Sequence, residues 1–280
     1  MFLFQFKTAN QESQKKLSNV DIIKKNTMTL DQSYNFLIKK AAECNVLLIG
    51  EIPHYQIKMD YFIASLLPKL KKMGYDYYVM EGKTSRQQFV DKYLKGQISV
   101  EQLQIKGDDA DTQAIVFETC KKLGIKVIFC DSRRSKYIDP FPPGFKQQTE
   151  KERFDYINSA VPKNAKMIIH FGGAHTTYAY GKKTDPDPED GMTLPTMGQL
   201  FKNKHGDKAY SICFAEVSFV VLSAPSGAWE KEGGMETRHF GDRQFEVYPH
   251  QGLEYFKNWD FIVNIEFDGK YQPPKTGFFR

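Results

Sequence analysis

Carboxylate, imidazole and guanidinium side chains follow four short apolar runs of this sequence. They are Glu51 with His54, Glu81, Asp131 with Arg133, and His170 with His175. Two carboxylates near several imidazoles suit general acid–base chemistry, because clustered acids and a neighbouring histidine shift one another's pKa values. The same oxygen and nitrogen atoms also suit a divalent metal ion, whose charge lowers the pKa of a bound water molecule. The sequence therefore predicts water activation and leaves open whether a metal takes part.

Each candidate has a predicted role. The catalytic set is Glu51, His54, Glu81, His170, His175 and Arg133, and the possible metal ligands are Glu51, His54, Glu81 and His175. The first glutamate and His54 are expected to orient and deprotonate water, with Glu81 holding His54 or the metal. His175, with His170, supplies a second imidazole as acid or ligand, and Arg133 stabilises an oxyanion. Structural alternatives remain open: a helix cap for Glu51, a turn cap for Asp131, and a hydrogen-bonded core histidine for His170.

The apolar runs predict strands, and the periodic segments between them predict helices. Strands are expected over 45–50, 76–81, 126–130 and 166–169, and helices over 29–43, 56–73, 85–95 and 109–123. Alternating strands and helices favour a parallel sheet, whose strands deliver ligand-binding groups at their carboxyl ends. The first strand is expected to stop at Gly50, which places Glu51 and His54 in the following loop. We therefore expect the charged groups to share one crevice.

The later part of the chain extends the same pattern. Helices are expected over 149–160 and 197–204, and strands over 209–214, 217–223 and 261–266. Thr149 with Glu152, and Thr84 with Gln87, match the capping-box pattern that opens a helix. The predicted fold class is α/β, with a largely parallel central sheet flanked by helices on both faces and an antiparallel C-terminal extension. The predicted divisions are an N-terminal arm over 1–28, an α/β domain over 29–224, and an extension over 225–280 packed on that domain.

Composition excludes several classes of function. The chain has 280 residues, 41% of them hydrophobic and 26% charged, which is typical of a globular protein. The net charge of +5 is spread among many acids, so neither nucleic acid nor a membrane is an expected partner. No apolar run approaches the roughly 20 residues of a membrane span, and no signal peptide is evident. Four cysteines without a CxxC pair predict buried thiols and a cytoplasmic location.

An ordered set of motifs resembles the erythromycin esterase-like and ChaN-like superfamily, which is similar to the TIKI/TraB proteins. The motifs are Gly50-Glu51-x-x-His54, Val79-Met80-Glu81, the helix-Gly-strand-Asp unit over 117–131, His170-x-x-x-Ala174-His175, and the Met197-Gly198 helix before a strand. The resemblance implies an α/β fold with a polar cleft. In the esterases the matched Glu and His activate water, in TIKI-like relatives similar residues hold a divalent metal, and a ChaN-like relative binds haem.

Three functions remain open from the sequence. The leading prediction is a hydrolase that cleaves an ester or amide bond of a small-molecule or peptide substrate, with or without a divalent metal ion. The first alternative is a ChaN-like protein that binds haem or a metal without turnover. The second is a non-catalytic interaction or toxin-like domain. The GxSxG, Walker A and GxGxxG motifs are absent from the sequence, so a serine nucleophile and a phosphate-binding loop have no support.

Overall fold

Strands and helices alternate along most of the chain, in a computed structural model that describes residues 30–52, 57–103, 110–131, 148–178, 195–216, 245–249 and 259–265. The strands are β1 Val46–Ile52, β2 Tyr75–Lys83, β3 Lys126–Asp131, β4 Lys166–Gly172, β5 Ala209–Glu216, β6 Phe245–Pro249 and β7 Phe261–Ile265. The helices are α1 Leu30–Glu43, α2 Ile57–Lys72, α3 Gln87–Leu94, α4 Ala110–Leu123, α5 Glu150–Ala160, the single turn α6 Gly173–Thr176, and α7 Met197–His205.

The strands form one seven-stranded sheet in the order β3-β2-β4-β1-β5-β7-β6. Every neighbouring pair is parallel except β6 and β7, which pair antiparallel at one edge. The predicted α/β class, with its largely parallel sheet and antiparallel C-terminal part, is confirmed. Both β6 and β7 come from the segment predicted as a C-terminal extension, and they continue the sheet rather than stand apart from it.

Apolar side chains cover both faces of the sheet, as the central position of its strands requires. One core joins alternate residues of the strands, such as Leu47 and Ile168, to α1, α2, α3 and α4. The other core joins the residues between them, such as Leu48 and Ile169, to α5 and α7. Because successive strand residues point to opposite faces, each functional side chain in a strand belongs to one face or the other.

Three strands that carry predicted site residues extend further than the sequence predicts. β1 continues through Glu51 to Ile52, because pairing with β4 and β5 on both sides carries the ladder past Gly50. β2 continues past Glu81 to Lys83, and β4 continues past His170 to Gly172. The prediction that Glu51 lies in a loop after the strand is therefore wrong. Glu51 instead occupies a strand position next to Gly172 of β4, where the sheet holds its backbone on both sides.

Of the capping boxes predicted at Thr149 and Thr84, the first is present and the second is not. The capping box at the start of α5 is confirmed, since Thr149 accepts from the Glu152 N–H and Glu152 accepts from the Thr149 N–H. The proposed box at Thr84 is wrong, because a 3-10 turn over Thr84–Arg86 precedes α3. The side chain of Gln87 instead bonds both the N–H of Phe129 and the carbonyl of Val127 at β3. The predicted arm 1–28 and strand 217–223 lie outside the described residues.

Two further predictions concern the burial of the cysteines and the presence of membrane-spanning helices. All four cysteines are buried free thiols, as predicted, and burial raises the pKa of each. Inert core thiols of this kind have no role as nucleophiles. Among the helices that the structure describes, none combines the length and apolar character needed to cross a membrane.

Candidate functional site

Four polar side chains meet near the carboxyl ends of β1 and β4, on the face covered by α2. We call Glu51, Asp60, Tyr78 and His170 the Glu51 cluster. The Nε2 atom of His170 lies 2.5 Å from Oε1 of Glu51, and its Nδ1 atom lies 2.6 Å from the hydroxyl of Tyr78. All four side chains are buried. Asp60 comes from the first turn of α2, and one oxygen of it lies within 4.8 Å of ligand atoms on Glu51 and His170.

Tyr78 remains a phenol in this environment. Burial raises the pKa of its hydroxyl well above the ordinary value, and the nearby negative charges of Asp60 and Glu51 raise it further. A protonated phenol beside an imidazole nitrogen is a hydrogen-bond donor. Both nitrogens of His170 therefore have protein partners.

A second cluster lies on the opposite face, where β4 turns into α6. We call His175, Glu150, Arg153, Asp131 and Glu81 the His175 cluster. His175 Nδ1 lies 2.8 Å from Oε1 of Glu150, and the same oxygen lies 2.5 Å from Nη1 of Arg153. Arg153 Nε donates to Oδ1 of Asp131 over 3.0 Å. Glu81 accepts from the backbone N–H of Gly172 at 3.3 Å, just before the α6 turn.

Helix α5 supplies the centre of this cluster. Glu150 is its first residue, and Arg153 is one turn further along, so the two side chains lie on the same side of the helix. The other carboxylate oxygen of Glu150 accepts from the backbone N–H of Met197, the first residue of α7. The Glu150 carboxylate is fully enclosed and receives three directed contacts, which compensate for its burial.

Charge sets the protonation of this pair. Burial alone lowers the pKa of His175, but the Glu150 carboxylate, with help from Glu81, outweighs burial and raises the pKa above its ordinary value. Burial alone raises the pKa of Glu150, but His175, Arg153 and the Met197 N–H together lower it. Glu150 is therefore a carboxylate at neutral pH, and His175 is a stronger base than a free histidine.

One nitrogen of His175 has no such partner. The ring contacts Glu150 through Nδ1 and meets the ring of Phe171 edge-on at 5.8 Å between centroids. Its Nε2 atom makes no hydrogen bond to any residue within the described ranges. A histidine with Nδ1 held by a carboxylate and Nε2 available has the arrangement of a general base.

Close packing fixes the turn that carries His175. A Cβ atom on Gly50 would lie 2.2 Å from Oγ1 of Thr176, and a Cβ atom on Gly198 would lie 2.2 Å from the Thr176 carbonyl. Glycine at both positions lets β1 and α7 approach the turn directly. Ser211 Oγ donates to the Thr176 carbonyl at 2.8 Å, and Trp259 Nε1 donates to Thr176 Oγ1 at 3.4 Å. Residues from β1, α7, β5 and the segment before β7 thus hold the turn.

The predicted site residues divide between these two clusters on opposite faces of the sheet, which does not match the expectation of one shared crevice. Glu51 and His170 lie together on one face, whereas Glu81 and His175 belong to the other cluster. All four come from strand ends at the same edge of the sheet, as the parallel topology requires. His54 and Arg133 lie outside the described residues. Asp131 forms a buried ion pair with Arg153.

Sequence reasoning missed four residues that complete the clusters: Asp60, Tyr78, Glu150 and Arg153. Tyr78 lies in an apolar strand and resembles any core aromatic residue. The start of α5 contains a detectable signal, because Glu150 directly follows the Thr149 cap and Arg153 comes three residues after Glu150. An acid in the first turn of a helix is ordinarily explained by the helix dipole. This signal therefore does not distinguish a residue of a functional site from an ordinary surface residue.

Three residues of the Glu51 cluster form a group that could hold a metal ion. One ligand atom each from Glu51, Asp60 and His170 lie within 4.8 Å of one another. Four metal ligands were predicted from the sequence. Glu51 belongs to this group, Glu81 and His175 do not, and His54 lies outside the described residues. Two carboxylates and one imidazole are a reasonable donor set for zinc or manganese.

Comparisons with known proteins place the fold but no family. No protein-family model matches the sequence. Mitoguardin 2 from Xenopus laevis is 26% identical over 111 residues, covering 38% of this chain and 19% of that protein, so the match spans about a fifth of its length. A solved succinoglycan biosynthesis protein is similar with a TM-score of 0.54 at 9% identity, over 88% of this chain and 96% of that chain. The type III effector HopBA1 has a TM-score of 0.46 at 16% identity, over 83% and 93%.

Proposed function

We propose that this chain is a hydrolase that activates water with glutamate and histidine side chains to cleave an ester or amide bond. The observation that carries the proposal is the contact of 2.8 Å between His175 Nδ1 and the buried Glu150 carboxylate. A carboxylate at this nitrogen fixes the imidazole so that Nε2 carries the lone pair, and it stabilises the imidazolium formed when Nε2 takes a proton.

The reaction follows from this arrangement. His175 Nε2 removes a proton from water while the water oxygen forms a bond to the substrate carbonyl carbon. The tetrahedral intermediate collapses, the bond from carbon to the leaving oxygen or nitrogen breaks, and His175 returns the proton to the leaving group. Glu150 remains ionised throughout, because Arg153 and the Met197 N–H continue to hold it.

The remaining predicted residues have supporting roles in this proposal. Glu81 adds negative charge near His175, and the acid–base role of Glu51 with His54 stays a prediction from the sequence. Arg133 stabilises the oxyanion, which needs a donor or a positive charge. Membership in the erythromycin esterase-like and ChaN-like superfamily stays a prediction from the sequence motifs.

A metal-assisted form is the second candidate, favoured by the group of Glu51, Asp60 and His170. The two carboxylates fit a divalent ion, but the position of His170 relative to Glu51 does not. A zinc ion bound to both Glu51 and His170 at about 2.0–2.1 Å would hold the two atoms about 3.3 Å apart. They lie 2.5 Å apart, which is the length of a direct hydrogen bond. No step of the proposed reaction therefore passes through a metal.

The test is turnover of a panel of p-nitrophenyl esters and short chromogenic peptides by the purified chain. We expect His175→Gln to lower kcat by roughly 10²–10⁴-fold, the usual contribution of a general base. His205→Gln is the matched control, because His205 is a half-buried histidine in α7 that stacks on Phe201 and belongs to neither cluster. Equal activity in the two variants would remove His175 from the proposal.

The same preparation tests the other candidates. Elemental analysis detects a bound divalent metal, and a visible absorption scan detects haem, which gives a strong Soret band. A chain with no turnover, metal or haem would favour the non-catalytic interaction or toxin-like domain. We also propose the cytoplasm as the compartment, supported by the four buried free thiols.

A further inference from the structure

We infer that Tyr78 is a positioning residue that holds His170 in the tautomer with its proton on Nε2, and that His170 then orients the Glu51 carboxylate. This gives His170 a role different from the acid or ligand predicted from sequence. The positioning role rests on the hydrolase proposed above, whereas the tautomer stands on the contacts alone.

The argument begins with the hydroxyl proton of Tyr78. The side chain is fully buried, and its oxygen lies 2.6 Å from His170 Nδ1. Within the described ranges, that nitrogen is the one acceptor in hydrogen-bond contact with the hydroxyl. A buried hydroxyl whose proton has no acceptor is costly. The proton therefore points to Nδ1, and Nδ1 must present its lone pair.

The tautomer follows from this direction. A neutral imidazole carries one N–H, so a lone pair on Nδ1 places the proton on Nε2. That N–H faces Oε1 of Glu51 at 2.5 Å. The reverse tautomer would place the lone pair of Nε2 against the Glu51 oxygen and direct an Nδ1–H at the Tyr78 hydroxyl. The Tyr78 proton would then lose its acceptor.

Packing makes the chain of contacts rigid. Tyr78 and His170 belong to adjacent parallel strands, β2 and β4, with Tyr78 opposite Ile168. Their rings meet edge-on at 81° with centroids 5.8 Å apart. Glu51 lies in β1 on the other side of β4. Three adjacent strands therefore fix a phenol, an imidazole and a carboxylate in line, and the Glu51 carboxylate has little freedom to rotate.

The first test is spectroscopic and needs no substrate. The chain is labelled with ¹⁵N-histidine, and the His170 signals are assigned by their loss in His170→Gln, since the sequence contains 6 histidines. We expect a protonated Nε2 and an unprotonated, hydrogen-bonded Nδ1 in the unmodified chain. A protonated Nδ1 beside a bare Nε2 would overturn the inference, even if the chain proves to be a hydrolase.

The second test is Tyr78→Phe, which removes the hydroxyl and keeps the ring. We expect the Nδ1 signal to lose its hydrogen-bonded shift, and kcat on p-nitrophenyl esters to fall by roughly 10-fold at an unchanged KM, the equivalent of one hydrogen bond. Tyr75→Phe is the matched control, because Tyr75 is a fully buried tyrosine in the same strand. Its hydroxyl donates to the carbonyls of Ala41 and Cys44 near the start of that strand, away from the Glu51 cluster.

The outcomes separate the two proposals. A fall in kcat for Tyr78→Phe but not Tyr75→Phe supports the positioning role. Equal kcat in both variants, with the tautomer as expected, would remove the positioning role and leave the hydrolase intact. Absence of ester turnover in the unmodified chain would count against the proposed hydrolase, while the ring-nitrogen spectrum would still decide the tautomer.

Discussion

His170 and His175 are separated by five positions in the chain and lie on opposite faces of the sheet. His170 is enclosed by a phenol and a carboxylate, so both of its nitrogens are engaged. His175 contacts a carboxylate through one nitrogen, and that carboxylate belongs to a network of charges. The exposed fractions of His170 and His175 are similar, at 5% and 8%. The number of ring nitrogens in hydrogen-bond contact, and not burial, therefore separates a histidine that orients a neighbour from one that exchanges a proton.

The two clusters also differ in how they are stabilised. The Glu51 cluster contains a linear chain of short hydrogen bonds between adjacent strands. The His175 cluster joins separate elements, α5, β3, α6 and α7, through Glu150 and Arg153. We expect a substitution in the charged network to affect stability more than one in the linear chain, because an uncompensated buried charge costs more than a lost neutral partner.

The largest expected effect is on Arg153. Arg153→Met leaves the buried acids Glu150 and Asp131 without their shared cation, and we expect unfolding to become easier by about 3–5 kcal/mol. Lys151→Met is a matched control on the same helix, because Lys151 pairs with Asp155 on the surface, where such pairs contribute about 1 kcal/mol or less. Urea denaturation of both variants gives the comparison. Similar midpoints would mean that the buried network contributes no more than the surface pair.

The next effect separates the two histidines. His170→Gln deprives the buried Tyr78 hydroxyl of its acceptor and removes one partner of Glu51, and a buried hydroxyl without an acceptor costs about 1–3 kcal/mol. His175→Gln costs less, because Glu150 retains Arg153 and the Met197 N–H. We therefore expect His170→Gln to have the lower denaturation midpoint and His175→Gln to have the lower kcat. The reverse ranking in both measurements would exchange the roles assigned to the two rings.

A smaller effect is expected where β1 meets the turn that carries His175. In Gly50→Ala the new Cβ would meet Thr176 Oγ1 at 2.2 Å and the Gly173 Cα at 2.8 Å. Such overpacking costs about 1–3 kcal/mol and would displace the turn. Adding Thr176→Gly removes the first clash and retains the second, so we expect the double variant to recover part of the lost stability. No recovery in thermal unfolding would show that the clash with Thr176 is not the cause.

Part of this comparison was predictable from the sequence. Strand periodicity and the alternation of strands with helices correctly predicted a largely parallel sheet, and the topology then placed Glu51, Glu81, His170 and His175 at one edge. Which face each residue occupies was not predictable, because the bounds of β1, β2 and β4 depend on pairing with their neighbours. The apolar run alone predicts a strand that ends at Gly50, yet the ladders to β4 and β5 extend beyond that glycine.

The partners of the two histidines were beyond sequence reasoning for a different reason. Glu150 and Arg153 have the spacing of an ordinary solvent-exposed helix pair, and their burial follows from the packing of α5 against α7 and β3. Tyr78 has the pattern of a core aromatic residue, and its hydroxyl gains a role when β4 places His170 beside it. Contacts between distant segments decide both cases. β6 was also missed, because its five residues follow a Gly-rich stretch with no strand pattern.

The smallest effect expected is the pH dependence of stability. The pKa of His175 is raised above 6.5, so the stability it contributes is fully present below about pH 6.5 and is lost as the pH rises through the folded-state value. The pKa of Glu150 is lowered below 4.5, so its contribution is present above about pH 4.5 and is lost as the pH falls through the folded-state value. The pair therefore stabilises the fold most between these two limits.

Glu150→Gln tests this dependence directly. Without the carboxylate, burial of His175 becomes the dominant influence and its pKa should fall below 6.5. We expect the unmodified chain to lose stability as the pH rises above 6.5, by about 1.4 kcal/mol for each unit by which the folded pKa exceeds the unfolded one, and the variant to lack that loss. If the unfolding free energies of both proteins fall in parallel over this range, another group titrates there and the His175–Glu150 pair is not the cause.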